Sequence, residues 1–386
     1  MNPTSRRETL AGGTRAVPGP GGGERPMGCV RPLVPEDIPR IAELYRSVFG
    51  PRNGVAPAQV ASYLHEILFQ NPWRDPELPS LTYEDGQGRI IGCLGVMPRR
   101  MSIAGVPIQA AISHSFMVEP TCRASLAGVE LGKAFLAGRQ DLSMAEGGDV
   151  SRRMMEGFGG STALLFSLRW TRPLRPTRYV LSFLKRRRLP GSVAAALVPI
   201  CYAADALGTF IRGGPLRLPA PRLAAEELQD GTLLGALGAV TWRRSLRPEY
   251  DAESLRWLLD LLGRKRSRGA LQKVALRNAS REIVGWYLYY LNPGGISEVV
   301  QIAARDGLFG TILDHLLYHA WHRGSVAVSG QLDPLEIQAF WERSCVFHHD
   351  GASWVLVHAR RREVLEAIHR GDAFLTRLEG EWWIGL

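Results

Sequence analysis

The sequence predicts an α/β protein made of two similar halves, each a mixed, mostly antiparallel sheet flanked by helices. Three observations lead there. Segments with apolar residues at helical spacing alternate with short apolar runs bounded by Gly, Pro, Asn and Asp. The order of segments between Cys29 and Leu168 recurs in outline between about Leu216 and His358. The recurrence includes corresponding hairpins, Arg89-Ile90-Ile91-Gly92 in one half and Glu282-Ile283-Val284-Gly285 in the other. At 386 residues, the chain is long enough to build two cores.

The elements follow in order. Cys29 to Leu33 reads as a strand, and Pro35-Glu36-Asp37 opens a helix with acidic residues where the helix dipole favours them. Ile38, Ile41, Leu44, Tyr45 and Val48 keep the helical period. A second helix runs from Pro57 to Phe69. Leu81 to Tyr83 and Arg89 to Met97 form a hairpin around Asp85-Gly86-Gln87-Gly88, and another hairpin turns at Ala104-Gly105 into a long strand, Val106 to Val118. A helix over Val129 to Ala137, a strand near Leu142 to Ala145, a helix from Asp149 to Glu156 and a closing strand, Ser161 to Leu168, complete the half.

The second half reads similarly. Glu249 to Leu262 is a helix, and Leu271 to Leu276 with Ile283 to Leu291 is a hairpin turning at Asn278-Ala279-Ser280. Ile296 to Ala303 is a strand, Leu308 to His322 a helix, Ser325 to Ser329 a strand, Pro334 to Glu342 a helix and Trp354 to His358 a last strand. Between the halves lie Arg169, Arg172, Arg175, Arg178 and Lys185-Arg186-Arg187-Arg188, then the apolar run Val193 to Ile211. That run is long enough to span a bilayer, but Pro199 and Asp205 make insertion costly. A connecting helix packed on the domains and a peripheral membrane contact through 169–211 are the two readings, the second drawing on basic and apolar groups together.

Composition excludes several classes. A hydrophobic fraction of 45% and a charged fraction of 22% fit a soluble globular protein. The net charge of +10 suits an acidic ligand or an anionic surface. Basic and aromatic residues do not alternate in a patch, so nucleic acid is not an expected partner. Five cysteines, far apart and without a CxxC pair, support neither a disulfide framework nor a structural zinc site, and fit a cytoplasmic setting. Residues 1–27, rich in Gly, Pro and Arg without an apolar core, read as a disordered tail and not a secretory signal.

The chemistry points to one loop. Val118-Glu119-Pro120-Thr121-Cys122-Arg123 leaves a long strand and enters a helix near Gly128. Free backbone N–H groups and the positive end of the dipole at such a helix start suit a pyrophosphate. The order Val-x-Pro-x-x-Arg, closed by Gly128, resembles the acyl-CoA loop of the GNAT N-acetyltransferase superfamily, and the element order resembles that family as well. Leu126 stands where the family usually has its first glycine. The resemblance implies tandem GNAT-like domains, 28–170 binding acyl-CoA and 215–386 a second copy, joined by a basic and apolar linker, 171–214. It implies acyl transfer, acetyl foremost, from acetyl-CoA or another acyl-CoA to an amine, with no metal. The pantetheine arm would lie along Met117 and Val118, and the pyrophosphate on amides of Arg123, Ala124, Ser125, Leu126, Ala127 and Gly128.

Tandem halves of this kind are also similar to Fem-type aminoacyl transferases and to acyltransferases of surface-polysaccharide pathways, which implies a small-molecule or glycan-linked amine such as an amino sugar. The alternative is a catalytically silent GNAT-like scaffold for a partner or a membrane surface. Met155 falls where the family's thiolate-protonating tyrosine stands, and a thioether cannot donate a proton. His114 is the candidate general base, since an imidazole near neutrality suits proton removal from an ammonium. Glu119, beside the loop, is expected to face solvent.

Other polar groups read as structural. His315, His319 and His322 share one helix face, but without His-Glu-x-x-His spacing, and His348-His349-Asp350 reads as a turn. Arg305-Asp306-Gly307-Leu308-Phe309-Gly310 occupies the loop position of the second half without a preceding Val-x-Pro. The run Arg377 to Trp383 reads as packing between the halves or over a sheet edge.

Overall fold

The computed structural model describes residues 28–50, 56–186, 190–210, 218, 220–349, 351 and 353–380. The tail expected at 1–27, part of the linker (187–189, 211–217), Asp350 and residues 381–386 lie outside them. The chain runs β1 (Cys29–Pro32), α1 (Ile38–Phe49), α2 (Pro57–Phe69), β2 (Leu81–Glu84), β3 (Ile90–Ile103), β4 (Val106–Val118), α3 (Ala127–Ala137), β5 (Leu142–Gly147), α4 (Asp149–Gly157), β6 (Ser161–Thr162), α5 (Leu164–Ser167) and β7 (Arg169–Pro173). It continues α6 (Pro176–Arg186), α7 (Gly191–Phe210), β8 (Ala224–Glu227), α8 (Asp230–Thr241), β9 (Leu246–Pro248), α9 (Ala252–Arg264), β10 (Ala270–Arg277), β11 (Ile283–Leu291) and β12 (Ile296–Ala304). Then come α10 (Phe309–His322), β13 (Ala327–Gln331), α11 (Ile337–Glu342), β14 (Val346–His348), β15 (Trp354–Ala359) and α12 (Arg362–His369).

Two mixed sheets result, flanked by helices, as the fold class requires. The first has the order β1-β2-β3-β4-β5-β15-β6, with β9 also on β3; the second has the order β14-β7-β13-β12-β11-β10-β8. Local signals explain the hairpins. Ala104 and Gly105 both take positive φ, 49° and 81°, which is the two-residue turn that matches the strand twist. Gly88, at φ 74°, closes the first hairpin, where Asp85 accepts from the amides of Gln87 and Arg89.

Strand ownership differs from the sequence expectation. Ser161 to Leu168 does not form the closing strand: only Ser161–Thr162 pair, and α5 follows. The place beside β5 is taken by β15, antiparallel from Trp354↔Gly147 to Ala359↔Leu142. In exchange β7 leaves the first half and pairs between β13 and β14. β9 pairs with the end of β3, from Met101↔Pro248 to Ile103↔Leu246. Trp354–Ala359 is a strand much as expected, whereas Arg169–Pro173, expected in the basic run between the halves, is a strand of the second sheet, and nothing local says which sheet receives either. The core follows the exchange: one buried cluster joins Ile41, Leu64 and Met97 to Leu233, Leu258 and Trp286. Trp73 stacks on Tyr250 at 6.1 Å, and its indole N–H donates to Asp251 at 2.8 Å.

Candidate functional site in the first sheet

β4 and β5 run parallel and pair at only three positions, Ala110↔Leu142, Ala111↔Ser143 and Ile112↔Met144. Beyond Ile112 they part. The register of β3 against β4 shows why β4 bends here: Cys93 faces Met117 and Gly95 faces His114, so β4 carries one extra residue. Ser115 absorbs it with φ 50°, a left-handed conformation that a non-glycine residue seldom adopts.

The divergence opens a cavity of about 240 Å³. Ser113 and Phe116 of β4 form one wall, Ala145, Glu146 and Gly147 of β5 another, and Gly132 of α3 with Met154 and Met155 of α4 the roof. Gly132 keeps the roof thin, since a Cβ there would meet the Phe158 ring at 3.1 Å. Two smaller voids, about 10 and 30 Å³, are also lined by Glu146. Among the described residues, Glu146 is the one ionisable side chain lining the cavity of about 240 Å³.

The loop after β4 makes a 3-10 turn over Pro120–Cys122 and enters α3. Arg123 to Leu126 are exposed, while Met117 and Ala127 are buried. Ser125 donates its amide to the Cys122 carbonyl, and Glu130 to that of Leu126. Among the described residues no acceptor serves the amides of Gly128 and Val129, as at any helix start without a side-chain cap. Leu126 sits at φ −75°, ψ −2°, a conformation open to every residue, and its side chain is 64% exposed. The leucine in place of glycine therefore strains nothing. A Cβ on Gly128 would lie 3.7 Å from the Phe116 ring, so the loop end and the cavity wall share a residue.

His114 is placed elsewhere. Its Nε2 meets the Tyr63 hydroxyl of α2 at 2.9 Å, its Nδ1 meets the Ser115 hydroxyl at 2.7 Å, and it does not line the cavity. Burial, with a smaller push from Lys265, drives its pKa down to about 3. The ring is neutral at pH 7 with both nitrogens engaged, so the geometry does not favour the general-base role read from the sequence. Glu119 is ion-paired with Arg40 at 2.9 Å. Met155 is buried and lines the cavity, where Ser113 and Ser151 bring the hydroxyls. Sequence reasoning passed over Glu146. A carboxylate at the half-buried end of a strand, directly before Gly147 and the Asp149 helix start, was the available signal.

The second sheet repeats the geometry with a different interior. β12 and β13 pair in parallel at three positions, Ile296↔Ala327 to Glu298↔Ser329, and β12 then carries its own extra residue between Val299 and Gln301. Here the gap is packed. A Cβ at Gly330 would lie 3.0 Å from both the Trp170 indole nitrogen and Val299, and Trp170 packs on Phe340 at 4.9 Å. At the loop equivalent, the Arg343 guanidinium lies over Gly310 and is held by two 2.8 Å bonds to Asp314. His315 and His319 pair through Nδ1 with the hydroxyls of Tyr287 and Tyr289, both at 2.9 Å. Leu378 and Glu379 are buried, Glu379 accepting from Thr376 and from the Tyr250 hydroxyl, so this part of the C-terminal run packs.

No protein-family model matches the chain, and no curated protein does. Solved structures do. A probable N-acyltransferase from Enterococcus faecalis V583 superposes with a TM-score of 0.57 at 11% identity, over 86% of this chain and 72% of its own. A GCN5-related N-acetyltransferase from Anabaena variabilis gives 0.55 at 12% identity, over 88% and 75%. N-myristoyltransferase from Saccharomyces cerevisiae, solved with bound myristoyl-CoA, gives 0.52 at 10% identity, over 89% and 82%. At these identities the likeness establishes the fold: tandem GNAT-like domains over most of the chain.

Proposed function

We propose that the protein is an acyl-CoA-dependent N-acyltransferase whose single acyl-transfer site is the notch between β4 and β5. The observation that carries this reading is the divergence of the two strands after Ile112↔Met144, with a cavity at that point. The cavity, at about 240 Å³, falls below the range of about 300–1,000 Å³ usual for whole ligands, so it suits the pantetheine arm and acyl group. The nucleotide end would stay outside, its pyrophosphate on the exposed turn from Arg123 to Gly128.

Transfer needs little from the protein beyond position and a proton acceptor. The amine nitrogen attacks the thioester carbonyl, the C–S bond breaks, and the amine proton passes to Glu146. The thiolate leaves within reach of the Ser113 and Ser151 hydroxyls, which can donate a hydrogen bond to it, and takes its proton from solvent or back from the Glu146 carboxyl. Glu146 suits the role because it brings an ionisable carboxylate to the wall of the cavity.

Titration with acetyl-CoA and with longer acyl-CoA in a calorimeter tests the reading. Saturable binding is expected, followed by thiol release when an amine panel is added. No heat with any acyl-CoA would leave a catalytically silent GNAT-like scaffold.

A further inference from the structure

We infer that the α6–α7 hairpin is a docking surface for an anionic lipid bilayer, on which it lies without crossing. α7 is, among the described residues, the one helix long and apolar enough to cross a membrane, with a mean hydropathy of 1.4 over Gly191–Gly208. A core helix would pass that test too, but only 6% of this stretch is buried. Val180 and Leu184 on α6, and Val193, Ile200 and Leu207 on α7, are all exposed, Ile200 and Leu207 by 63% and 68%. An apolar surface of this extent on a soluble protein calls for an occupant.

Charge selects the occupant. Residues 176–210 hold Arg178, Lys185, Arg186, Arg187 and Arg188 against a single carboxylate, Asp205. Asp205 is 4% exposed and accepts from Arg178 Nε at 2.9 Å and from the Thr177 amide at 3.0 Å. The described face is thus apolar, its one carboxylate buried and paired, and the sequence adds the basic run Lys185-Arg186-Arg187-Arg188 ahead of α7, the composition of an interfacial segment beside anionic lipid. A second copy of the chain would bring two such cationic hairpins together. Residues 2–26 have only Leu10 and Val17 as large apolar side chains, too few to cover the face.

The same contacts argue against a span. Asp205 ties α7 to α6, the Thr177 hydroxyl donates to the Cys201 carbonyl at 2.8 Å, and Pro199, inside the helix, leaves one backbone carbonyl without its helical donor. Inserting α7 alone would expose the Asp205 carboxylate to hydrocarbon. The inference does not depend on acyl transfer.

Vesicle sedimentation of the full chain tests it, with phosphatidylcholine alone and with increasing phosphatidylglycerol. Binding should rise with phosphatidylglycerol, fall with salt, and be released by alkaline carbonate. The double variant Ile200→Glu, Leu207→Glu, at two exposed positions, should weaken it roughly ten-fold or more. K185Q, R186Q, R187Q and R188Q together should do the same by removing the electrostatic attraction. Unchanged circular dichroism and thermal unfolding identify variants that remain folded. No vesicle binding, binding indifferent to phosphatidylglycerol, or resistance to carbonate would overturn the inference. So would self-association of the wild type, abolished in the double variant, without vesicle binding, which would put a second copy on this face.

Discussion

The Nε2 of His114 and the Tyr63 hydroxyl lie 2.9 Å apart, joining β4 to α2 at a buried site that the notch cavity does not reach. The pair holds this histidine between strand and helix, and its burial gives it a pH signature. Its pKa, about 3, is far below the value of an unfolded imidazole, about 6.5. Between those values the unfolded chain binds a proton that the folded chain refuses. The stabilising effect is therefore fully present above about pH 6.5 and is lost as pH falls towards 3, at up to about 1.4 kcal/mol per pH unit. His319, pushed down to about 4, acts in the same window, so the test is a difference in slope. A His114→Gln variant, compared by urea unfolding at pH 7.5, 6 and 5, should lose less stability on acidification than the wild type. Equal slopes would show that native His114 takes up the proton.

Gly128 tests the anion site. A Cβ there meets Val118 and Phe116 at 3.6 and 3.7 Å, ordinary contact distances. Gly128→Ala should bind acyl-CoA nearly as the wild type does. Gly128→Glu adds a carboxylate at the unpaired amides and should abolish calorimetric binding. If both variants bind with wild-type affinity, the pyrophosphate lies elsewhere.

Glu146→Gln keeps the size of the side chain and removes its basicity. The turnover number should fall by about 10²–10⁴, the usual worth of a general base, with acyl-CoA affinity retained. A His114→Gln enzyme should keep the shape of the wild-type pH–rate profile. The opposite pattern, full activity in the glutamate variant and an altered profile in the histidine variant, would return the base to His114.

Trp170 fills the second notch, so one acyl-CoA should bind per chain. Trp170→Ala, at a fully buried indole, should cost about 3–5 kcal/mol of stability and leave the acyl-CoA affinity of the first sheet unchanged. A stoichiometry of two in the wild type would show that packing around Gly330 gives way to ligand.

Much of this was legible along the chain. α2 spans Pro57–Phe69 as its proline start and apolar period indicate, and Ala104-Gly105 turns as its residue types allow. These signals are short-range: backbone conformation, spacing and turn chemistry act within a few residues. The loop from Val118 to Gly128 was legible for the same reason. His114 was visible as a residue type, but its fate depended on Tyr63, 51 positions away.

Assembly decided the rest. β15 was legible as a strand and β7 was not, and the sheets of both were chosen by the partners available, β13 for β7 and β5 for β15. Strand pairing is long-range and is settled by which face can be buried, information that no local pattern carries. The difference between the two notches arose in the same way. Both sheets part after three parallel pairs, but only the second brings Trp170, from the first half of the chain, into the gap beside Gly330. Residue types and periods established a tandem α/β chain and the strand–turn–helix outline of the loop after β4. The exchange of strands established which notch stayed open, because a packed indole and a cavity cannot occupy the same space.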